Sequence, residues 1–318
     1  MITDASGRQF KKLRVSLTHE CNYSCLYCAD GNKSEVDLVS NETKKLLPSA
    51  ELIEIIRKLH SELRLDAVRL TGGEPLLHPR IRSIVEAIRD MDVSNIGMTT
   101  NGHLLKSKAK GLYDAGLCSV NISLDALSPK VFEEMSLHHG LPNVLRAIDS
   151  SLNVGMKVKF NTVVVAGKND KEILPLLKFA IDKGIVIRFL ELMPMGPLYN
   201  NRKELFFSSA QMLDLIGLQY PIVKLPRDNG ATSDYWSIDG RKAFGIIAND
   251  SAPFCSDCNR LRLDSYGNIF GCLSSLIPIP VSTDSSEEKM QSALQLALTH
   301  KQPAHFAGNQ RTMQSIGG

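Results

Sequence analysis

The stretch LRVSLTHECNYSCLYC, residues 13–28, decides how the rest of the chain is read. Residues 13–18 have strand character: Arg14 and Ser16 share one face, Val15 and Leu17 the other. Three cysteines, Cys21, Cys25 and Cys28, follow within eight positions as C-x3-C-x2-C. Reactive groups directly after a strand occupy the place where barrels of alternating strands and helices carry their chemistry, the C-terminal strand ends.

Working outward, the same unit recurs. Strands are predicted at 67–71 (AVRLT), 95–100 (NIGMTT), 119–125 (SVNISLD), 157–165 (KVKFNTVVV) and 185–192 (IVIRFLEL). Helices are predicted between them at 50–63, 78–91, 104–116, in two stretches after 125 (the second 142–155), and at 171–184. In the first helix Leu52, Ile53, Ile55, Ile56 and Leu59 recur at helical spacing. The strands read as apolar on both faces, the habit of a parallel sheet covered by helices. Six such units predict an α/β fold, an incomplete (β/α)6 TIM-like barrel. A doubly wound sheet is the alternative, but no G-x-G-x-x-G follows the first strand. Past Leu198 the pattern changes to short strand-like pieces (YPIVKL, RKAFGII) and a helical segment near 285–299. A soft boundary near residue 240 divides a barrel, 1–240, from a smaller C-terminal region, 241–318.

The 318 residues, 43% hydrophobic and 22% charged, have ordinary globular composition. A net charge of +3 is too mild to argue for a nucleic-acid partner. The polar start MITDASGRQFKK carries no secretory signal, and the uncharged run 265–283 is broken by Asn268, Pro278 and Pro280, so no membrane span is expected. A cytoplasmic protein is expected. Seven cysteines are then better read as metal or redox chemistry than as disulfides. Cys118 stands alone in an apolar strand, where a small buried thiol is expected. The other three, Cys255, Cys258 and Cys272, form C-x2-C-x13-C.

Iron–sulfur clusters are held by cysteine thiolates, one per iron, so a triplet leaves one iron of a four-iron cube open to another ligand. Zinc is the competing reading, the first triplet completed by His19 and the second by Asp257 or His305. TGGEP (71–75) offers glycines for close backbone approach and Glu74 to pair with an ammonium group. In NRLRLD, Arg260 and Arg262 point to one strand face beside the second triplet, an arrangement suited to phosphate.

C-x3-C-x2-C with Tyr27 before its last cysteine, followed one strand later by TGGEP, resembles the radical S-adenosylmethionine superfamily. The fuller ordered set of TDASGR, RLTGGEPLL, TTNG, NISLD, VKFNTVV, RFLELMPMG, FCSDCNRLRLDSYGNIFGCL and the terminal Gly317-Gly318 resembles the GTP 3′,8-cyclases of molybdenum cofactor biosynthesis. That resemblance implies two [4Fe-4S] clusters, on Cys21, Cys25 and Cys28 and on Cys255, Cys258 and Cys272. It implies S-adenosylmethionine contacts from Tyr27, Gly73, Ser123 and Met193. It implies GTP contacts from Arg14, Arg69, Thr99, Lys159, Arg260 and Arg262, with Arg188 a further polar residue inside the barrel. Gly317 and Gly318 would reach into the active site.

The implied reaction is abstraction of the C3′ hydrogen of GTP by a 5′-deoxyadenosyl radical, then addition of the carbon radical to C8 of the guanine. One-electron reduction gives (8S)-3′,8-cyclo-7,8-dihydroguanosine 5′-triphosphate. An external reductant, a downstream cyclic pyranopterin synthase and a homodimer are the further implied partners. No histidine stands out as a base, and His138 and His139 read as surface residues. Ala29-Asp30-Gly31 departs from the Met-Pro pair frequent in that family, and neither the polar segment 29–40 nor 273–300 carries an assignable motif. The other readings are a peptide-modifying radical enzyme with an auxiliary cluster and a non-enzymatic zinc protein.

Overall fold

Six β-strands with polar residues on one face and apolar residues on the other build the centre of the molecule. The structure is a computed structural model that describes residues 2–4, 6–28, 45–200, 202–302, 305–308 and 312–315. The strands are β1 (Lys12–Ser16), β2 (Ala67–Thr71), β3 (Asn95–Thr100), β4 (Ser119–Ser123), β5 (Lys157–Val164) and β6 (Val186–Glu191). All pair in parallel in chain order. The intervening helices are α1 (Ser49–Leu63), α2 (Ile81–Arg89), α3 (Leu105–Ala115), α4 (Pro129–Ser136), α5 (Leu141–Asn153) and α6 (Ile173–Asp182).

Register sorts the strand residues into two layers. Leu13, Val68 and Ile96 align with one another and are buried under the helices. Helix α1 meets this layer with Leu52, Ile55, Ile56, Leu59 and Leu63, and α2 with Ile81, Ile84, Val85 and Ile88, each set a stripe at the 3.6-residue period. The alternate residues, Arg14, Arg69 and Gly97 at one level and Ser123, Asn161 and Arg188 at the next, form the other layer. The expectation of strands apolar on both faces is therefore corrected. Only the helix-facing layer is apolar, because the inner face borders a polar cavity.

Beyond β6 lie α7 (Arg202–Leu205), α8 (Ser209–Gly217), β7 (Ile222–Lys224), β8 (Asp234–Ile238), β9 (Arg241–Ile247), β10 (Arg260–Leu263), β11 (Asn268–Phe270), β12 (Ile279–Pro280) and α9 (Glu287–Thr299). Strand β9 pairs in parallel with β6, and β10 in parallel with β1. The whole sheet runs β12-β11-β10-β1-β2-β3-β4-β5-β6-β9-β8-β7. The incomplete α/β barrel is thus lengthened by one parallel strand at each edge, and the outer strands are antiparallel. Position 240 lies in the turn between β8 and β9, where Asp239 and Gly240 have φ of 50° and 73°. The link from β9 to β10, which carries Cys255 and Cys258, leads the chain from one edge of the parallel run to the other.

Candidate active site

The loop after β1 is held in place by backbone contacts with two neighbours. Leu26 N donates to Met135 O at 2.9 Å and Ser24 N to Ser136 O at 3.3 Å, tying the loop to the end of α4. Gly73 N donates to Thr18 O at 2.7 Å and Glu74 N to Glu20 O at 2.8 Å, tying it to the end of β2. A Cβ on Gly73 would overlap the carbonyls of His19 and Glu20, so only glycine permits this approach. Within the loop Cys28 N donates to Cys25 O at 2.9 Å, and Tyr23 N to Cys21 Sγ at 3.4 Å. Tyr27, Met135, Val165 and Leu192 form a small apolar cluster against Cys25 and Cys28. Burial pushes the Cys25 thiol well up, with Asp125 adding to it, and lifts Cys28 to about 12. Free thiols in this setting keep their protons, and it takes a bound metal to displace them.

The second triplet comes from the β9–β10 link and from the residue two positions past β11. Burial raises Cys255 to about 11, with the Cys272 and Cys258 thiols contributing. Burial also pushes Cys258 up, but Arg260 and Lys301 outweigh it and bring that thiol to about 6. Arg260 Nη2 donates to Cys258 Sγ at 3.2 Å, and Lys301 Nζ at 3.5 Å. Among the described residues no three His, Cys, Asp or Glu side chains converge closely enough to hold a single metal ion. Of the residues named as zinc-completing ligands, two are engaged elsewhere and one is exposed. Exposed His19 accepts or donates at 3.0 Å with Tyr266 Oη, Asp257 is bound by both terminal nitrogens of Arg227 at 2.7 and 2.9 Å, and His305 is exposed. Two sets of three spaced thiols suit multinuclear iron–sulfur clusters better than mononuclear zinc.

All six of these cysteines line one cavity of about 250 Å³. Tyr27, Gly73, Ser123 and Met193 border it with the first triplet, and Arg14, Thr99, Arg188, Arg260 and Arg262 border it as well. Alignment of Arg14 with both Arg262 and Arg69 crowds guanidiniums at one level. Burial pulls Arg14 well below the ordinary arginine range, and Arg262, Arg260, Arg69 and Arg188 pull it further. Burial likewise lowers Arg69 and Arg262 to about 10. Among the described residues neither Arg14, Arg69, Arg188 nor Arg260 has a carboxylate within ion-pair distance. Such a concentration of positive charge is suited to a polyanion.

Two sequence candidates do not border the cavity. Arg69 lies flat over Gly97, where a Cβ would come within 2.6 Å of its Nη2, and it donates to Met98 O at 3.1 Å. Lys159 sits 5.7 Å from the centre of the Tyr235 ring. Glu74 does not border the cavity either. Fully buried, it accepts from Leu76 N, Thr100 Oγ1 and Asn101 N at 3.0, 2.7 and 2.8 Å, and burial raises it to about 7. His138 is half-buried and stacked on Tyr23 with ring centres 4.4 Å apart, whereas His139 is exposed. Cys118 precedes β4 and is only half-buried, its Sγ donating to Ile96 O at 3.1 Å. Gly317, Gly318 and the segment 29–40 lie outside the described residues.

Other residues of the site escaped the sequence reading. Asn161 borders the cavity and accepts from Arg188 Nε at 2.9 Å. Asp125 accepts from Tyr27 Oη at 2.8 Å and from Val163 N at 2.9 Å. Both stand in quoted motifs, Asn161 as a polar residue within the apolar strand of VKFNTVV and Asp125 just past the strand of NISLD, which was the available signal. Lys301, Phe306 and Met313 also border the cavity and carried none.

The chain resembles known proteins over most of its length. The family model described as Radical SAM superfamily matches residues 15–180, and that described as Molybdenum Cofactor Synthesis C matches residues 185–307. A GTP 3′,8-cyclase of Nautilia profundicola is 40% identical over 274 residues, 86% of this chain and 84% of the relative. One from Synechocystis is 36% identical over 317 residues, 100% of this chain and 95% of the relative. Among solved structures, Streptococcus suis SuiB bound to S-adenosylmethionine superposes with a TM-score of 0.65 at 14% identity, covering 90% of this chain and 66% of that one. Native anSMEcpe with bound AdoMet superposes at 0.59, also at 14% identity, covering 88% and 79%. At such identity the structural likeness concerns the fold.

Proposed function

The chain belongs to the radical S-adenosylmethionine superfamily and, within it, to the GTP 3′,8-cyclases, and on that premise we propose how its cavity cyclises GTP in molybdenum cofactor biosynthesis. It is an enzyme of the lyase class that uses S-adenosylmethionine and an iron–sulfur cluster. Cys21, Cys25 and Cys28 would hold that cluster, which when loaded with S-adenosylmethionine supplies the radical chemistry that starts the reaction at C3′ of the ribose. Tyr27, Gly73, Ser123 and Met193 bind and orient S-adenosylmethionine. Tyr27 is pinned by Asp125, and Gly73 keeps the β2 end against the cysteine loop.

Cys255, Cys258 and Cys272 would hold a second four-iron cluster, and with three protein ligands one iron would remain to bind the purine. Arg14, Thr99, Arg260 and Arg262 take the ribose triphosphate between the two triplets, with Arg188 beside them. Arg69 and Lys159, which do not border the cavity, act on the triphosphate through their charge. The observation that carries this reading is that both cysteine triplets border one cavity, which Arg14, Arg188, Arg260 and Arg262 border as well. Residues 1–240 would then generate the radical and 241–318 hold the base. This is a functional division, since the β8–β9 hairpin turn lies at its boundary and the sheet continues through it. No helix among the described residues is long and apolar enough to cross a membrane. A cytoplasmic homodimer, an external one-electron reductant and a cyclic pyranopterin synthase receiving the product belong to the same proposal.

Cys255→Ala tests the second triplet. Anaerobically reconstituted variant should carry about half the iron of the unmodified protein, keep S-adenosylmethionine binding and lose GTP binding. Unchanged iron and GTP binding would refute the assignment.

A further inference from the structure

The TDASGR motif and Lys301 take no part in the reading above, yet they meet at the second cysteine triplet. Asp4 Oδ1 accepts from Ser6 N and Arg8 N, each at 3.0 Å, and Oδ2 accepts from Arg8 Nε at 2.7 Å. The loop thus fixes a guanidinium, and Arg8 Nη1 donates to the Cys255 carbonyl at 2.5 Å and to the Ser256 carbonyl at 3.4 Å. Phe10, 1% exposed, is approached by two cations: Arg8 Cζ is 5.8 Å from its ring centre and Lys301 Nζ is 5.0 Å away.

Lys301 itself is 9% exposed, just past the end of α9. Its ammonium group has three hydrogens and three acceptors: Arg260 O and Gly271 O at 2.9 Å, and Cys258 Sγ at 3.5 Å. The two carbonyls belong to the start of β10 and to the residue before Cys272. One side chain therefore joins the strands that deliver two of the three thiols. Gly271 makes this possible, since a Cβ there would overlap Ala297 O of α9 and come within 3.2 Å of Lys301 Cγ. Carbonyl acceptors alone would be served by any donor. A full positive charge on the sulfur, in a place where burial makes an uncompensated charge costly, serves a thiolate.

We propose that Lys301, braced through Phe10 by the Asp4–Arg8 loop, is a positioning residue that fixes the second triplet and offsets the negative charge of the cluster held there. The inference rests on the reading that Cys255, Cys258 and Cys272 hold an iron–sulfur cluster. Net charge and hydrogen bonds to the sulfurs set the reduction potential of such a cluster, and a cation at Cys258 Sγ favours the more negative, reduced form.

The test uses the anaerobically reconstituted full chain and its Lys301→Arg, Lys301→Gln and Lys301→Met variants, each assayed for iron content and titrated redox-potentiometrically with electron paramagnetic resonance detection. Unmodified protein with a single cluster would remove the premise, and the proposal with it, before any variant is compared. With two clusters present, Lys301→Gln and Lys301→Met should make the second at least tenfold harder to reduce, about 59 mV for one electron. Lys301→Arg should stay close to the unmodified protein, and the first cluster should be unmoved throughout. Loss of the second cluster from Gln and Met but not from Arg would also support the charge role. Unshifted potentials, an Arg variant shifted as far as Gln, equal shifts of both clusters, or loss of the second cluster from all three would overturn it.

Discussion

Replacing Arg14 by glutamine should stabilise the GTP-free protein while weakening GTP binding, two effects of opposite sign from one change. Arg14 aligns with Arg262 on one side and Arg69 on the other, and neighbouring strands lie ~4.8 Å apart. Guanidiniums on such neighbours, roughly 5–8 Å apart at an effective dielectric of ~20, repel by about 2–3 kcal/mol per pair before screening. Solvent and ions reduce this, so the variant should gain about 1–2 kcal/mol in anaerobic urea unfolding without GTP. The same side chain would donate charge-assisted hydrogen bonds to the triphosphate, worth ~1.5–3 kcal/mol. Equilibrium dialysis should then show GTP binding about ten- to 150-fold weaker, with iron content unchanged. Added salt should stabilise the GTP-free unmodified protein more than the variant. A variant that loses stability while binding GTP normally would refute the reasoning, because Arg14 would then be held by favourable structural contacts.

Two further outcomes concern the first cysteine loop. Glu74→Leu leaves Thr100 Oγ1 and the amides of Leu76 and Asn101 without their acceptor, each buried group costing ~1–3 kcal/mol. The urea midpoint should fall by an amount equivalent to several kcal/mol, and an unchanged midpoint would show that the carboxylate is dispensable. Gly73→Ala forces the β2 end away from His19 and Glu20. Its S-adenosylmethionine affinity should fall more than tenfold while the iron of the second triplet is retained, and normal affinity would mean that the loop tolerates the displacement.

Much of the α/β barrel was legible because its helices carry clean 3.6-residue stripes such as Leu52, Ile55, Ile56 and Leu59, and its strands are short runs between turn residues. The polar inner face was legible only at single residues such as Arg14 and Arg188, since these and Asn161 alternate with residues so apolar that the runs as a whole read as hydrophobic. The parallel pairing of β9 and β10 with the barrel edges was equally hidden, because non-local pairing leaves no mark in either strand's own residues. At the site, the cysteine spacings and the Arg260–Arg262 alternation announced their chemistry. Lys301 did not, for an isolated lysine past a helix looks like surface until the Arg260 and Gly271 carbonyls are seen to draw it inward. Glu74 hid its surroundings for the opposite reason: a carboxylate in a glycine turn looks exposed, whereas it is fully buried and accepts from three donors.

The central claim is that this cavity couples S-adenosylmethionine cleavage to GTP. Anaerobically reconstituted protein with S-adenosylmethionine and a one-electron reductant should form 5′-deoxyadenosine together with a 3′,8-cyclised nucleotide when GTP is added. Cleavage that ignores GTP, or that is coupled to a peptide instead, would contradict the account.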